Sequence, residues 1–249
     1  MRVYFIGSKF HGCNYVRCLL PMYHNGWDGS VVSVGGEPKP LKNVIEELQQ
    51  SDVVVFHRPN SVQHHKVGQL LKSMGKKIVF DNDDTFQKTE KHPFHMLDEK
   101  GFEQNSVYTN NLINNFILNS DLVTCSTEFL AEEYRKINPN VVVLPNCIDP
   151  FDWDVPLRND GDKVRIGITG STAYNHDFEH VKDYITELSK RDDVQLVLFG
   201  LHGKKKQEEN RLIRRVYNKE FDFWNNLEGL EHMEFCLMQD YFKTLNELR

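Results

Sequence analysis

The sequence of 249 residues predicts an α/β fold made of two parallel-sheet domains in series. Three observations lead there. Residues 2–149 alternate short apolar runs with stretches of helical periodicity, the pattern of a parallel sheet covered on both faces. Residues 121–149, DLVTCSTEFLAEEYRKINPNVVVLPNCID, read without a break as strand, helix, strand and turn. Finally, Arg158-Asn159-Asp160-Gly161-Asp162 lacks apolar residues, and a new apolar run, Val164 to Ile168, starts just after it. The expected division is a first domain over 1–155, a linker over 156–162 and a second domain over 163–249.

In the first domain the apolar runs place strands at 2–6, 30–34, 52–56, 77–81, 122–125 and 141–144. Helices are expected near 12–21, 40–50, 61–74, 105–119 and 127–137, the fourth marked by Leu112, Ile113, Phe116 and Ile117. Leu122 to Cys125 is a short β-branched run. After it, Ser126 and Thr127 are N-cap residue types, and Glu128, Glu132 and Glu133 load the early helical turns with acid. Phe129, Leu130, Tyr134 and Ile137 recur at helical spacing until Asn138-Pro139-Asn140 stops the helix. Val141 to Leu144 then suits a fully buried parallel strand, closed by Pro145. Right-handed crossovers between such strands give a Rossmann-like domain.

The second domain repeats the pattern: strand 164–169, helix 178–190, strand 194–199, a charged helix near 204–224, strand 233–237 and a helix from Asp240. Only three strands are laid down, and a half-built parallel sheet exposes a flat edge. The expectation is therefore that more chain follows Arg249, that a second chain completes the sheet, or that catalysis has been lost.

A net charge of −6 supplies no broad basic field, which argues against a protein that tracks nucleic-acid phosphates. Lys204-Lys205-Lys206 is the one compact basic run and reads as a solvated helix start. The five cysteines are scattered and never spaced C-x-x-C, so neither a disulfide framework nor a zinc knuckle follows. The chain begins on a strand without a signal-peptide pattern, and no apolar run reaches membrane-spanning length, so the expected location is the cytoplasm.

Several stretches could carry chemistry. The turn Gly7-Ser8-Lys9-Phe10-His11-Gly12-Cys13-Asn14 joins the first strand to its helix at the carboxyl edge, where ligands of open α/β sheets bind. Phe80-Asp81-Asn82-Asp83-Asp84-Thr85 ends the fourth strand with three carboxylates. Alone it fits the D-x-D-x-T of haloacid-dehalogenase-type phosphatases, but three strands precede it and Asp84 stands where Gly is usual. His176-Asp177-Phe178-Glu179-His180 matches the H-x-x-E-H zinc motif without an evident third ligand. Ile166-Gly167-Ile168-Thr169-Gly170-Ser171 runs from a strand through a small-residue turn into a helix, a natural anion site. His57, His92 and His95 follow the third and fourth strands, and a lone histidine there is more often structural than functional.

Pro145-Asn146-Cys147-Ile148-Asp149, the TEFLAEEY helix before it, the Tyr15, Arg17 and Pro21 run and the Phe80-Asp81-Asn82-Asp83-Asp84 strand end resemble retaining GT-B glycosyltransferases of the large sucrose- and glycogen-synthase-like family, in bacterial or phage-type form. The resemblance extends from Val3 to roughly the last helix. Cys147 stands where that family usually has Gly, at a turn position that often wants positive φ. The resemblance implies transfer of a sugar from a nucleoside-diphosphate sugar to a carbohydrate or other acceptor. On it, Gly7, Ser8, His11, Gly12 and Asn146 bind the acceptor side, and Asp81, Asp83 and His92 act at the sugar, with both aspartates facing the cleft. Gly170, Ser171, His176, Phe199 and Gly200 bind the donor nucleotide. No metal is required, Mg²⁺ through Asp81 and Asp83 being a lesser reading, and the family's E-x7-E motif would lie beyond Arg249. A cleft-facing Asp81 implies that Asp81→Asn leaves the melting temperature within a few degrees. Two alternatives stand beside this reading: a non-catalytic nucleotide-sugar or carbohydrate-binding module, and the phosphatase.

Overall fold

Six apolar runs of the first unit become the strands β1 (Val3–Gly7), β2 (Val31–Ser33), β3 (Val53–His57), β4 (Lys77–Asn82), β5 (Leu122–Cys125) and β6 (Val141–Val143). All pair in parallel, in the order β2-β1-β3-β4-β5-β6. The structure, a computed structural model, describes residues 1–7, 12–27, 31–33, 41–85, 99–149, 161–169, 178, 180–199 and 222–233. The chain divides into two units, Met1–Asp149 and Pro150–Arg249. The division falls a few residues ahead of the polar linker expected at 156–162.

The strand order reverses direction at β1: β2 is added on one side, and the chain returns to add β3 on the other. In a doubly wound sheet this switch point is where the crossover helices diverge, opening a crevice beyond the carboxyl ends of β1 and β3. Alternate residues of a strand face opposite sides. Ile6, Val54, Phe56, Ile78, Phe80 and Val123 pack one face. Val3, Phe5, Val55 and Val79 pack the other with Cys18, Met22 and Trp27. Burial on both faces explains why these strands read as continuous apolar runs.

The expected first helix is three pieces in succession: α1 (Gly12–Asn14), a π-helical turn Tyr15–Leu19 and α2 (Leu20–His24). In the widened turn the Leu20 N–H donates to the Tyr15 carbonyl, five residues back. Pro21 supplies the reason: it has no N–H, and in a regular α-helix its ring would collide with the carbonyl of Arg17. The remaining helices are α3 (Leu41–Gln49), α4 (Val62–Ser73), α5 (Glu99–Asn119) and α6 (Glu128–Arg135). α5 begins six residues before the expected start at 105. Thr127 is the N-cap of α6, its hydroxyl accepting from the Leu130 N–H at 3.3 Å. Asn138, buried after α6, donates to the carbonyls of Ile117 and Ser120 at 2.8 and 2.9 Å, so the residue that ends one helix also ties down the end of α5.

The second unit holds β7 (Val164–Thr169), α7 (Lys182–Ser189), β8 (Val194–Phe199) and β9 (Glu231–Met233), with parallel order β7-β8-β9. Ile185, Val194, Leu196, Leu198 and Trp224 form its core. β9 starts two residues before the strand expected at 233–237. The expected helix from Asp240 and most of the charged one near 204–224 lie outside the described residues. Two parallel sheets of this kind are compatible with Rossmann-like domains. Among the described residues no helix is long and apolar enough to cross a membrane.

Candidate functional site at the carboxyl edge of the first sheet

Strand register assembles the site. His57 lies opposite Asp81, and Asp81 opposite Thr124, in adjacent parallel strands. In-register residues of neighbouring strands share a face, so three polar side chains at the carboxyl ends of β3, β4 and β5 form one row. Each ends an apolar alternation on the face packed against the helical segment Gly12–His24. Gly7 closes β1 beside this row, and Asn14 lies against it. A Cβ on Gly7 would come within 2.7 Å of Asn14 Oδ1 and 2.9 Å of Asn14 Cγ, so side-chain bulk is excluded there by contact.

Arg17 points from the π-helical turn into the row. Its Nε and Nη2 donate to the two oxygens of Asp81 at 3.2 and 2.5 Å. Its Nη1 donates to the Leu144 carbonyl and, at 3.3 Å, to Asn146 Oδ1. Asp81 also accepts from His57 Nδ1 at 2.9 Å and Thr124 Oγ1 at 2.6 Å. Burial pushes the Asp81 carboxyl up, but hydrogen bonds from His57 and Arg17, the Arg17 charge and the Thr124 hydroxyl outweigh it and hold the carboxyl below its ordinary value. Asp81 is thus an ionised carboxylate with four donors on about four lone-pair sites. Because an ionised carboxylate only accepts, the His57 proton sits on Nδ1.

Beside the row stands a second ion pair. Arg58 Nε and Nη2 each lie 2.8 Å from Asp83 Oδ1, and Nη2 is 3.5 Å from Asp84 Oδ2. Arg58 has φ of 52°, the one positive φ on a non-glycine among the described residues. Its N–H donates to the Asp81 carbonyl at 2.9 Å, which helps hold that strained turn at the switch point. Ser126 Oγ donates to the Asp83 carbonyl at 3.1 Å, so of the two expected cap residues one caps α6 and the other steadies the acidic loop. Burial pushes the Cys13 thiol up; Arg58 draws it down, and Asp83, which hydrogen-bonds it, raises it again.

The expectation that both aspartates face an open cleft is corrected for Asp81, which is buried with its oxygens taken. A phosphatase nucleophile needs a free lone pair in line with phosphorus, and a cation needs one to coordinate, so the Asp81 pairing fits neither role. Among the described residues no group of three or more His, Cys, Asp or Glu gathers as a metal site. Gly7 adjoins the network through Asn14, and the exposed Asn146 reaches it through Arg17. Gly12 opens α1 in free space, with no atom within 4 Å of where a Cβ would stand. Cys147 has no positive φ, so the turn runs through it without the strain expected at a lost glycine. Phe199 is the buried last residue of β8, opposite Thr169 at the carboxyl edge of the second sheet. Ser8, His11, His92, Gly170, Ser171, His176 and Gly200 lie outside the described residues.

Sequence reasoning passed over Thr124 and Arg58, took Cys13 only as part of the first turn, set His57 aside as structural and did not count Arg17 among the site residues. Counting by twos shows each of His57, Asp81 and Thr124 closing the alternation of its own strand, while the register that joins them in one row comes from the strand pairing. Among known proteins, no protein-family model matches the chain, and no curated protein matches it.

Proposed function

We propose that the protein transfers a sugar from a nucleoside-diphosphate sugar to an acceptor hydroxyl, the acceptor lying over the carboxyl edge of the first sheet. One observation carries this reading. The three separate stretches that resemble the retaining GT-B glycosyltransferases, Tyr15 to Pro21, Phe80 to Asp84 and Pro145 to Asp149, are joined by a single side chain, Arg17, through Asp81, the Leu144 carbonyl and Asn146. The chain also lays down two parallel sheets in succession, as a GT-B protein would. On this reading the donor diphosphate binds the Gly170-Ser171 turn, and Phe199-Gly200 approaches the base. Catalysis then rests on positioning and on stabilising the departing diphosphate, with no metal required.

A binding module without catalysis is the second reading. It is favoured by the full pairing of Asp81, which leaves that carboxylate no lone pair for the sugar at which the resemblance would place it. Titration with UDP and GDP, together with a turnover assay on a panel of nucleotide sugars, separates the two. Binding with dissociation constants on the order of 0.1–1 mM, lost in Gly170→Val and retained in Lys205→Ala, supports the donor site. Turnover then supports the transferase, and binding without turnover supports the module. Absence of both, or binding unchanged in Gly170→Val, removes the donor site and the transferase reading with it.

A further inference from the structure

We propose that His57 receives a ligand hydroxyl at the switch point, with Nε2 as the hydrogen-bond acceptor. The chemical class of that ligand, a sugar or polyol, rests on the transferase reading.

The His57 side chain has no exposed surface, and its Nδ1–H is committed to Asp81. Nε2 is buried and makes no hydrogen bond. Asp83 Oδ1 stands 4.0 Å from it, beyond hydrogen-bond range. Around the imidazole, two guanidinium groups, Arg17 and Arg58, face two carboxylates, Asp81 and Asp83. Each guanidinium already has its carboxylate, and Asp84, 3.5 Å from Arg58, is largely solvated, so the Nδ1–H tautomer leaves a lone pair on Nε2. Asp83 also offers only lone pairs and cannot satisfy it. What Nε2 lacks is a hydrogen, and a ligand hydroxyl brings one.

The position agrees with the chemistry. His57 is the last residue of β3, at the crevice where doubly wound sheets take their ligands. The next residue, Arg58, is held at φ 52° with its side chain locked on Asp83. Strained backbone of this kind persists where the surroundings over-determine it, which is common in binding sites. A buried acceptor left unmade is rare in native structures and marks a place where a partner belongs.

The test is made on the full chain, labelled with ¹⁵N, by long-range proton–nitrogen spectra of the histidine rings. The spectra are recorded during titration with methyl α-glucoside and, separately, glycerol. At neutral pH His57 should show the Nδ1–H tautomer, and its Nε2 resonance should move as methyl α-glucoside is added. His57→Asn, whose amide keeps a donor toward Asp81, assigns the signal. It should hold its melting temperature and bind the glucoside about tenfold more weakly, the loss of roughly one hydrogen bond. An imidazolium or an Nε2–H tautomer overturns the proposal, as does an Nε2 resonance that neither probe moves. Both readouts come from the wild-type chain, so they decide the matter even if the variant does not fold. A moving Nε2 resonance without turnover of any nucleotide sugar removes the transferase reading and leaves hydroxyl recognition in place.

Discussion

Removing the charge of Asp81 leaves Arg17 as a buried guanidinium without its carboxylate. Breaking such a pair from one side costs about 3–5 kcal/mol, so Asp81→Asn should lower the melting temperature well beyond the few degrees that a cleft-facing residue implies. The pH dependence has a definite sign. The native Asp81 carboxyl lies below its ordinary value, so its contribution is complete above about pH 4 and is lost as pH falls through the lowered native value. Melts of wild type and Asp81→Asn from neutral to acid pH should therefore converge below about pH 4; a constant gap would mean that Asp81 is not ionised in the fold. Thiol chemistry tests the same packing. Cys18 is fully buried, and burial drives its thiol far up. Cys125 is buried and raised for the same first reason, whereas Cys147 is exposed. Ellman's reagent on the native protein should label Cys147 first among these three, and early labelling of Cys18 would show that the Arg17 helix is not packed as described. Polar residues closing apolar runs, such as Asp81 in VFDND, were legible as an edge. That His57, Asp81 and Thr124 share one row was not, because register depends on neighbouring strands far apart in sequence. Arg58 carried no local mark of its left-handed backbone, a conformation usually announced by Gly or Asn.

At the scale of elements, the two glycines that begin the chain's first crossover have different reasons for being there. Gly7→Ala drives a Cβ into the Asn14 side chain, whereas Gly12→Ala meets open space at the start of a helix. Urea unfolding should show Gly7→Ala destabilised by about 1–3 kcal/mol through overpacking, and Gly12→Ala neutral or stabilised by up to about 1 kcal/mol through a stiffer unfolded chain. Equal effects would mean that the Gly7–Asn14 approach does not constrain the edge. Apolar periodicity located every strand of the first unit within a residue or two, because the central strands, buried on both faces, have little freedom in composition. The strand expected to be fully buried at 141–144 is instead the edge strand β6, with Val142 45% exposed. Periodicity was less informative where a helix departs from regular geometry. Pro21 signalled trouble inside the first helix, but not that the chain would widen into a π turn and so aim Arg17 at Asp81. α5 extends back to Glu99 through a polar run that apolar spacing could not mark as helical.

For the whole molecule, the run without apolar residues at 158–162 pointed to a boundary, and the two units divide some residues before it, after Asp149. The units are unequal. In the first, a six-stranded sheet packs apolar side chains on both faces. In the second, the three-stranded sheet has a smaller described core, and Val164, at the start of its edge strand β7, is 61% exposed. Burial on both faces is what makes a parallel sheet stable, so residues 1–149 should fold alone. Expressed by themselves, they should unfold in one cooperative transition, with a melting temperature within a few degrees of the first unit's transition in the full chain. They should also resist protease at concentrations that cut the full chain within 157–162 or 201–226, the polar stretches of the sequence with least apolar content. First cleavage inside 121–145 would contradict this. β5, α6 and β6 would then open before the linker, and Thr124, Ser126 and the Leu144 carbonyl could not stay fixed against Asp81, Asp83 and Arg17 as the carboxyl-edge network requires.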